Sequence, residues 1–462
     1  MFDKKKLLAT LLLGMGLGAA TLAIRARGGP ATDAPSPGEF PVATDGRKPR
    51  VVVLGAGFAG IAATDELARA FRDGALGEVT LIDRNNYHLF TPLLYQVAAG
   101  TLQPDFLAYP VRQSFAERGV VCRTSEVKAV DLEGKQVITS SGPVPYDYLI
   151  IALGATTGYF GNAEIQRYTQ PLKTLRDALA IRNRVLASFE QAELTDDPAQ
   201  RRELLNFVVV GGGATGVEMA GALRDYVYGT LARNYPRLDV TRDVKIILVE
   251  AGQEILGDLD RGLARVALDY LRHSGVEVRL GTRVVDVRPG ELRADAGEII
   301  PTRNVIWATG IEAWQQVARL PAPKAQDGRL EVDACLGVPG YPGVYTVGDT
   351  ARAVDAKTGR PLPPNAPAAI ESGRLAAANV LRSLAGKPQR PLRYRRRGDL
   401  IALGEYKAVA EVGPLKVDGL LAWLLFRSFY LWRLMGMKNR LRVFVAWVLS
   451  PVYRQEAVEF EC

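Results

Sequence analysis

The sequence predicts an α/β fold of two Rossmann-like domains, the second inserted in the first, followed by amphipathic helices at the C-terminus. Three observations predict it. Apolar residues 51–54 run into Gly55-Ala56-Gly57-Phe58-Ala59-Gly60, and 156 residues later 207–210 run into Gly211-Gly212-Gly213-Ala214-Thr215-Gly216. An apolar strand that belongs with the first unit returns after the second, at 343–350. Across 420–454, bulky apolar residues are interspersed with Arg427, Arg433, Lys438, Arg440, Arg442 and Arg454, with no acid among them.

At 462 residues the chain has room for two or three domains. Cys122, Cys335 and Cys462 are far apart and form no CxxC, so neither a disulfide framework nor a redox dithiol is signalled. His88 and His273 are the only histidines. A histidine-rich metal site or a histidine-based triad is therefore not expected, no metal is assigned, and the chemistry falls to bound cofactors.

Taken in order, residues 1–27 read as MFDKKK, an apolar run over 7–24, then Arg25-Ala26-Arg27. As a helix that run spans about 27 Å, marginally enough for a hydrocarbon core. No clear A-x-A cleavage site precedes the arginines, so an anchor or membrane-surface helix is expected. Residues 28–49, rich in Gly, Pro, Ala and Ser, read as a linker. A first dinucleotide-binding domain is expected over 50–165 and 325–390, enclosing a second over 166–324. Residues 391–462 are expected to form a membrane-association module, opened by Arg393-Tyr394-Arg395-Arg396-Arg397. Its large aromatic and aliphatic content favours an anionic bilayer surface over nucleic acid.

In the first turn, Gly55 permits the bend, Gly57 lets the backbone approach a pyrophosphate, and Gly60 lets the helix pack on the strand. The helix N-terminus offers free N–H groups to the phosphates. Asp83 ends the next strand, 23 residues after Gly60, where a carboxylate accepts hydrogen bonds from a ribose. Gly211, Gly213, Gly216 and Glu250 repeat the pattern, with a longer interval that places an insertion around 226–243. Glu250 is followed by Ala251-Gly252 and not by arginine, which disfavours a 2′-phosphate and favours NADH over NADPH. Gly348-Asp349, preceded in the chain by Ala308-Thr309-Gly310, places a carboxylate where a flavin ribityl hydroxyl could be held. Two dinucleotides in one chain point to a flavin, a nicotinamide and hydride transfer.

The run Asn86-Tyr87-His88-Leu89-Phe90-Thr91-Pro92-Leu93-Leu94-Tyr95-Gln96-Val97-Ala98-Ala99-Gly100, with 211–223 and 344–351, resembles the type II NADH:quinone oxidoreductases over about residues 49–460. These are single-chain, non-pumping respiratory flavoproteins. The resemblance implies FAD on the first domain and NADH on the second. Cofactor-binding residues are then expected at Gly55, Gly57, Ala59, Gly60, Asp83, Arg84, Val127, Gly154, Gly211, Gly213, Thr215, Gly216, Glu250, Gly310 and Asp349. Glu218 corresponds to a family glutamate near nicotinamide and flavin, and Lys407 to a lysine close to the flavin in some members; both are expected to be catalytic. One departure stands out. Where the family carries an AQxAxQ-type segment for quinone, this chain has Asn365-Ala366-Pro367-Ala368-Ala369-Ile370-Glu371, so Pro367 and Glu371 replace the two glutamines. Quinone contacts are expected at Ala366, Pro367, Ile370 and Glu371.

The expected function is hydride transfer from NADH to FAD, then transfer of two electrons to a membrane quinone without proton pumping. NADH being cytosolic, the body is expected on the cytoplasmic side of a bacterial-type inner membrane, bound peripherally through the C-terminal helices, with or without the N-terminal anchor. Whether a homodimer forms is left open. The alternatives are a related flavoprotein such as a sulfide:quinone oxidoreductase, which needs cysteines near the flavin, or a non-enzymatic FAD/NADH redox sensor.

Overall fold

The computed structural model describes residues 47–71, 77–450 and 458–459. The segment expected as an anchor over 1–27, nearly all of the linker over 28–49, Arg454 and Cys462 lie outside the described residues.

Strand β1 (Arg50–Leu54) is Val-rich and buried from Val51 onward, as a central strand covered on both faces requires. It leads through the first glycine turn into α1 (Phe58–Ala70) and on to β2 (Glu78–Asp83). Helix α2 (Leu94–Ala98), β3 (Val120–Thr124) and β4 (Tyr148–Ile151) follow. The chain then builds β5 (Gln170–Pro171), α3 (Leu175–Leu194) and β6 (Asn206–Val210), whose second glycine turn starts α4 (Ala214–Gly229). A 3-10 turn, Leu231–Arg233, and a short helix, Val240–Asp243, occupy the expected insertion. Strands β7 (Lys245–Val249), β8 (Val276–Arg279) and β9 (Asn304–Trp307) complete this part. After β10 (Val344–Thr346) comes α5 (Ala366–Leu384), capped by the Asn365 side chain.

Two five-stranded parallel sheets result, ordered β10-β4-β1-β2-β3 and β5-β9-β6-β7-β8. In each, the strand leading into the glycine turn is central and the strand leading to the acidic residue lies beside it. The first sheet takes β10 from beyond the second, so one unit interrupts the other. Where the chain leaves and returns, Ala155–Thr157 pairs antiparallel with Ile311–Ala313. Helix α5 presses against α1, and a Cβ at Gly373 would overlap the Ala59 carbonyl.

In the C-terminal part the expected helices are preceded by a small sheet. Strands β11 (Asp399–Gly404), β12 (Lys407–Val412) and β13 (Leu415–Asp418) form an antiparallel sheet that precedes α6 (Gly419–Arg433) and α7 (Met437–Leu449). The two helices also keep much of their aromatic and basic content inside. Trp423, Phe426 and Trp447 join the largest core cluster, and the buried Arg427 guanidinium lies 4.1 Å from the Trp423 ring and 4.7 Å from that of Trp447. Arg442 pairs with Asp105 at 2.8 Å, and Arg440 donates to the Leu434 carbonyl at 2.7 Å. What remains outward is mostly aliphatic, led by Met437 at 75%, Leu441 at 60% and Leu421 at 57% exposure. Among the described residues, no helix is long and apolar enough to cross a membrane.

Candidate active site

The two glycine turns are geometric copies. Gly55 and Gly211 take φ of +97° and +115°, a region closed to most side chains. A Cβ at Gly60 would overlap the Gly55 carbonyl oxygen, and one at Gly216 the Gly211 oxygen. Gly57 and Gly213 are the N-cap residues of α1 and α4, neither helix has a side-chain cap, and a Cβ at either glycine would meet nothing within 4 Å. Each turn is braced by the acid ending the neighbouring strand. Asp83 accepts from Ala56 N at 2.6 Å and Asn85 N at 2.7 Å; Glu250 accepts from Gly212 N at 2.5 Å and Gly252 N at 2.6 Å. Burial raises the Asp83 pKa, while these N–H groups and the Arg84 charge oppose the rise. His88 Nδ1 lies 2.8 Å from the Ala56 carbonyl, so Ala56 is held at both its N–H and its C=O.

Several predicted residues gather around the first turn. Ala59 packs beside Gly348 and Gly373, and Val127 shares a core cluster with Leu54 and Ile82. Thr350 Oγ1 donates to the Gly154 carbonyl at 3.2 Å, which brings Gly154 next to the Gly348–Thr350 turn. Burial raises the Asp349 pKa, against the charges of Lys173 and Arg329. Arg84 stacks over Trp314 at 4.5 Å. On the other side, Thr215 is exposed in the first turn of α4, and Gly310 abuts Gly158 where the chain re-enters the first unit.

Glu218, one turn into α4, is buried and accepts from Ala402 N of β11 at 3.3 Å. Helix α2 packs against α4, and the Glu218 charge adds to burial in raising the pKa of Tyr95 of α2 and Tyr430 of α6. Burial raises the carboxyl's pKa well above the ordinary 4.5, and the Ala402 N–H opposes the rise. A ladder of edge-to-face rings runs from Phe58 to Phe90 at 5.8 Å and on to Tyr430 at 6.1 Å, joining the first glycine turn to the C-terminal module.

Lys407 is exposed at the start of β12, paired with Gly404 next to a register shift, and its Nζ lies near Gly419. At the start of α5, Pro367 is exposed and Ala366, Ile370 and Glu371 are half-buried. The Glu371 charge reaches Tyr394, which bonds the Asn365 side chain. Cys122 belongs to β3 at one edge of the first sheet, whereas Cys335 sits beyond β10 at the other, where Gly337 bridges Tyr345. The two thiols therefore form no pair. Ser372, whose hydroxyl accepts from Gly348 N at 3.1 Å, and Trp447, whose indole donates to Gln96 at 2.8 Å, were given no site role from sequence, because what marks them is contact across elements.

A family model for pyridine nucleotide-disulphide oxidoreductases matches residues 49–373. Type II NADH:quinone oxidoreductase Ndh of Mycobacterium tuberculosis is 35% identical over 435 residues, covering 90% of this chain and 90% of that protein. The chain belongs to the type II NADH:quinone oxidoreductases. Demethylphylloquinone reductase NdbB of Synechocystis is 30% identical over 418 residues, covering 88% of this chain and 98% of that protein. The structure of NDH2 from Plasmodium falciparum in complex with NADH shares the fold at a TM-score of 0.81 and 21% identity, covering 89% of this chain and 100% of that one. A type II NADH:quinone oxidoreductase uses FAD and NADH, and both turns fit such groups. The open space beside Gly57, Gly154 and Gly213 and the two uncapped helix N-termini suit two pyrophosphates. As a type II NADH:quinone oxidoreductase the chain is an oxidoreductase of the respiratory type, and the sulfide-oxidising and sensor alternatives are not favoured.

Proposed function

We propose that this protein oxidises NADH at the expense of a membrane quinone, with FAD held by 50–165 and 325–390 and NADH by 166–324. The observation that carries the reading is the position of Glu218. It rides on the helix of the second glycine turn, which packs against α2 from the run after the first turn, and it accepts from Ala402 N of the C-terminal module. A group at the meeting point of all three parts is placed to serve both half-reactions.

FAD, when bound, accepts a hydride from NADH and passes two electrons to quinone. The chain's part is to align, to exclude water and to manage protons. Gly55, Gly57, Ala59 and Gly60 receive the FAD pyrophosphate, Asp83 its ribose and Asp349 its ribityl chain; Arg84, Val127 and Gly154 line the same site. Gly211, Gly213, Thr215 and Gly216 receive the NADH pyrophosphate, with Gly310 at the junction. Burial raises the Glu218 pKa, which suits this carboxyl to hold and release a proton at its oxygen. The start of α5, with Ala366, Pro367, Ile370 and Glu371, borders the quinone. Lys407, exposed at the start of β12, is kept as a second catalytic candidate near the flavin.

Glu250 accounts for a preference for NADH, because a 2′-phosphate would meet its carboxylate. Glu250→Ser is expected to raise kcat/KM for NADPH roughly tenfold or more while lowering that for NADH, read from steady-state rates with each nucleotide. An unchanged ratio would remove Glu250 as the discriminating group.

The aliphatic outer face of α6 and α7 supports peripheral binding to an anionic bilayer on the side where NADH is found. Vesicles containing anionic lipid should sediment the wild-type protein, and the double variant Met437→Glu/Leu441→Glu should stay largely in solution with its flavin retained.

Stopped-flow absorbance of detergent-purified protein tests the whole reading. Fast flavin bleaching by NADH and fast recovery with a short-chain quinone are expected. Bleaching without recovery would mean that Pro367 and Glu371 have changed the acceptor, and no bleaching would overturn the proposal.

A further inference from the structure

Helix α4 lies along an edge of the C-terminal sheet. Strand β11 is an end member of that three-stranded sheet, so the backbone groups on its outer side need partners from elsewhere. Two carboxylates of α4 supply them. Glu218 accepts from Ala402 N at 3.3 Å, and Asp225, two turns further along the same face, accepts from Glu405 N at 2.6 Å. Between the two acids sits Gly221, in a helix interior where glycine is unfavourable, and a Cβ there would overlap the Leu403 carbonyl oxygen. The strand makes the matching allowance. A Cβ at Gly404 would lie 3.0 Å from Asp225 Oδ2 and 3.1 Å from the Tyr270 hydroxyl. The second Asp225 oxygen accepts from Arg224 Nη1 at 2.9 Å, and Arg224 Nε donates to the Ser274 carbonyl at 3.0 Å. The carboxylate is therefore paired and held from two sides.

We propose that Asp225 is a positioning residue that, with Gly221 and Gly404, seats the β11–β12 hairpin on α4 and so holds the Ala402 N–H against Glu218. The hairpin turn is Glu405-Tyr406, with Tyr406 at φ of +62°, and Lys407 follows it directly. A tie at Glu405 N therefore fixes the strand on both sides of the turn: Ala402 before it and Lys407 after it. The shorter bond at Asp225 carries the anchoring, which leaves Glu218, on its longer bond, available for proton transfer.

The test begins with native-state hydrogen exchange on the flavin-loaded protein, without nucleotide or quinone. Asp225→Ala should speed exchange at both Glu405 and Ala402 by roughly tenfold, with the amides of β6 unchanged. In turnover it should lower kcat by roughly tenfold at unaltered NADH affinity. Asp225→Asn keeps an acceptor oxygen at the same reach and should recover most of both losses. Gly221→Ala should reproduce Asp225→Ala by pushing the strand away; if it does not fold, the two Asp225 variants decide. Unchanged exchange at Ala402 would confine Asp225 to its own turn, and faster exchange throughout β6 would make it merely structural. An undiminished kcat beside faster exchange at Ala402, or equal losses in the alanine and asparagine variants, would also overturn the proposal. The effect on kcat rests on the reading that Glu218 acts in turnover. Undiminished kcat in Glu218→Gln would sink that reading, while the exchange pattern tests the seating by itself.

Discussion

Glu218→Gln is expected to lower turnover by roughly 10²-fold while leaving both nucleotides bound, with the loss read as kcat and the binding as flavin content and NADH affinity. The amide preserves shape and the contact to Ala402 but cannot take up or release a proton. A fall in KM-independent rate with intact binding is what a proton-holding group predicts; a fall in flavin content alone would make Glu218 a packing residue.

The same substitution should stabilise the protein above pH 4.5. Burial raises the Glu218 pKa in the folded state well above its ordinary value of 4.5. Between those two values the unfolded chain has released the proton and the folded chain has not. Stability therefore declines as pH rises through this window, since the unfolded state binds fewer protons. The contribution is complete below 4.5 and lost as pH climbs through the folded value. Glutamine has no proton to lose, so melting temperatures of the two proteins should coincide near pH 4 and diverge in favour of the variant as pH increases. Convergence at high pH would reverse the assignment.

Gly60→Ala and Gly57→Ala should fail in different ways, and the contrast separates fold from cofactor. A Cβ at Gly60 would fall on the Gly55 carbonyl, which is backbone and has nowhere to retreat inside a packed β1–α1 junction. The expected cost is on the order of 4 kcal/mol or more, with little folded protein recovered. At Gly57 a Cβ meets no protein atom within 4 Å. That variant should fold with the melting temperature of flavin-free wild type and bind FAD at least about tenfold more weakly, because the methyl group occupies the place of a phosphate oxygen. Equal flavin affinity in Gly57→Ala and wild type would move the pyrophosphate elsewhere.

The two nucleotide units were legible because their signals are local. A strand, a glycine turn, a helix and an acid at the end of the next strand lie within one stretch of chain, and sterics at Gly55 and Gly211 tie residue type to backbone shape. The C-terminal module was less legible. Its basic and aromatic pattern suits both a bilayer and a core, and only packing assigns Trp423, Arg427 and Trp447 inward while leaving Met437 and Leu441 outside. The turn at Tyr406, with φ of +62°, and the hairpin around it have no strong sequence mark.

From its sequence alone this chain marked two glycine turns for dinucleotides, the acid that braces each, an expectation of NADH, and a departure at Pro367 and Glu371 in the segment expected to meet quinone. Each depends on residues close together along the chain, where bond geometry and reach leave little freedom. The tertiary structure decided what surrounds Glu218. Its neighbours Tyr95, Ala402 and Tyr430 come from positions more than a hundred residues away. A carboxyl's proton affinity is set by burial and by the donors around it, and these exist only once distant segments have packed.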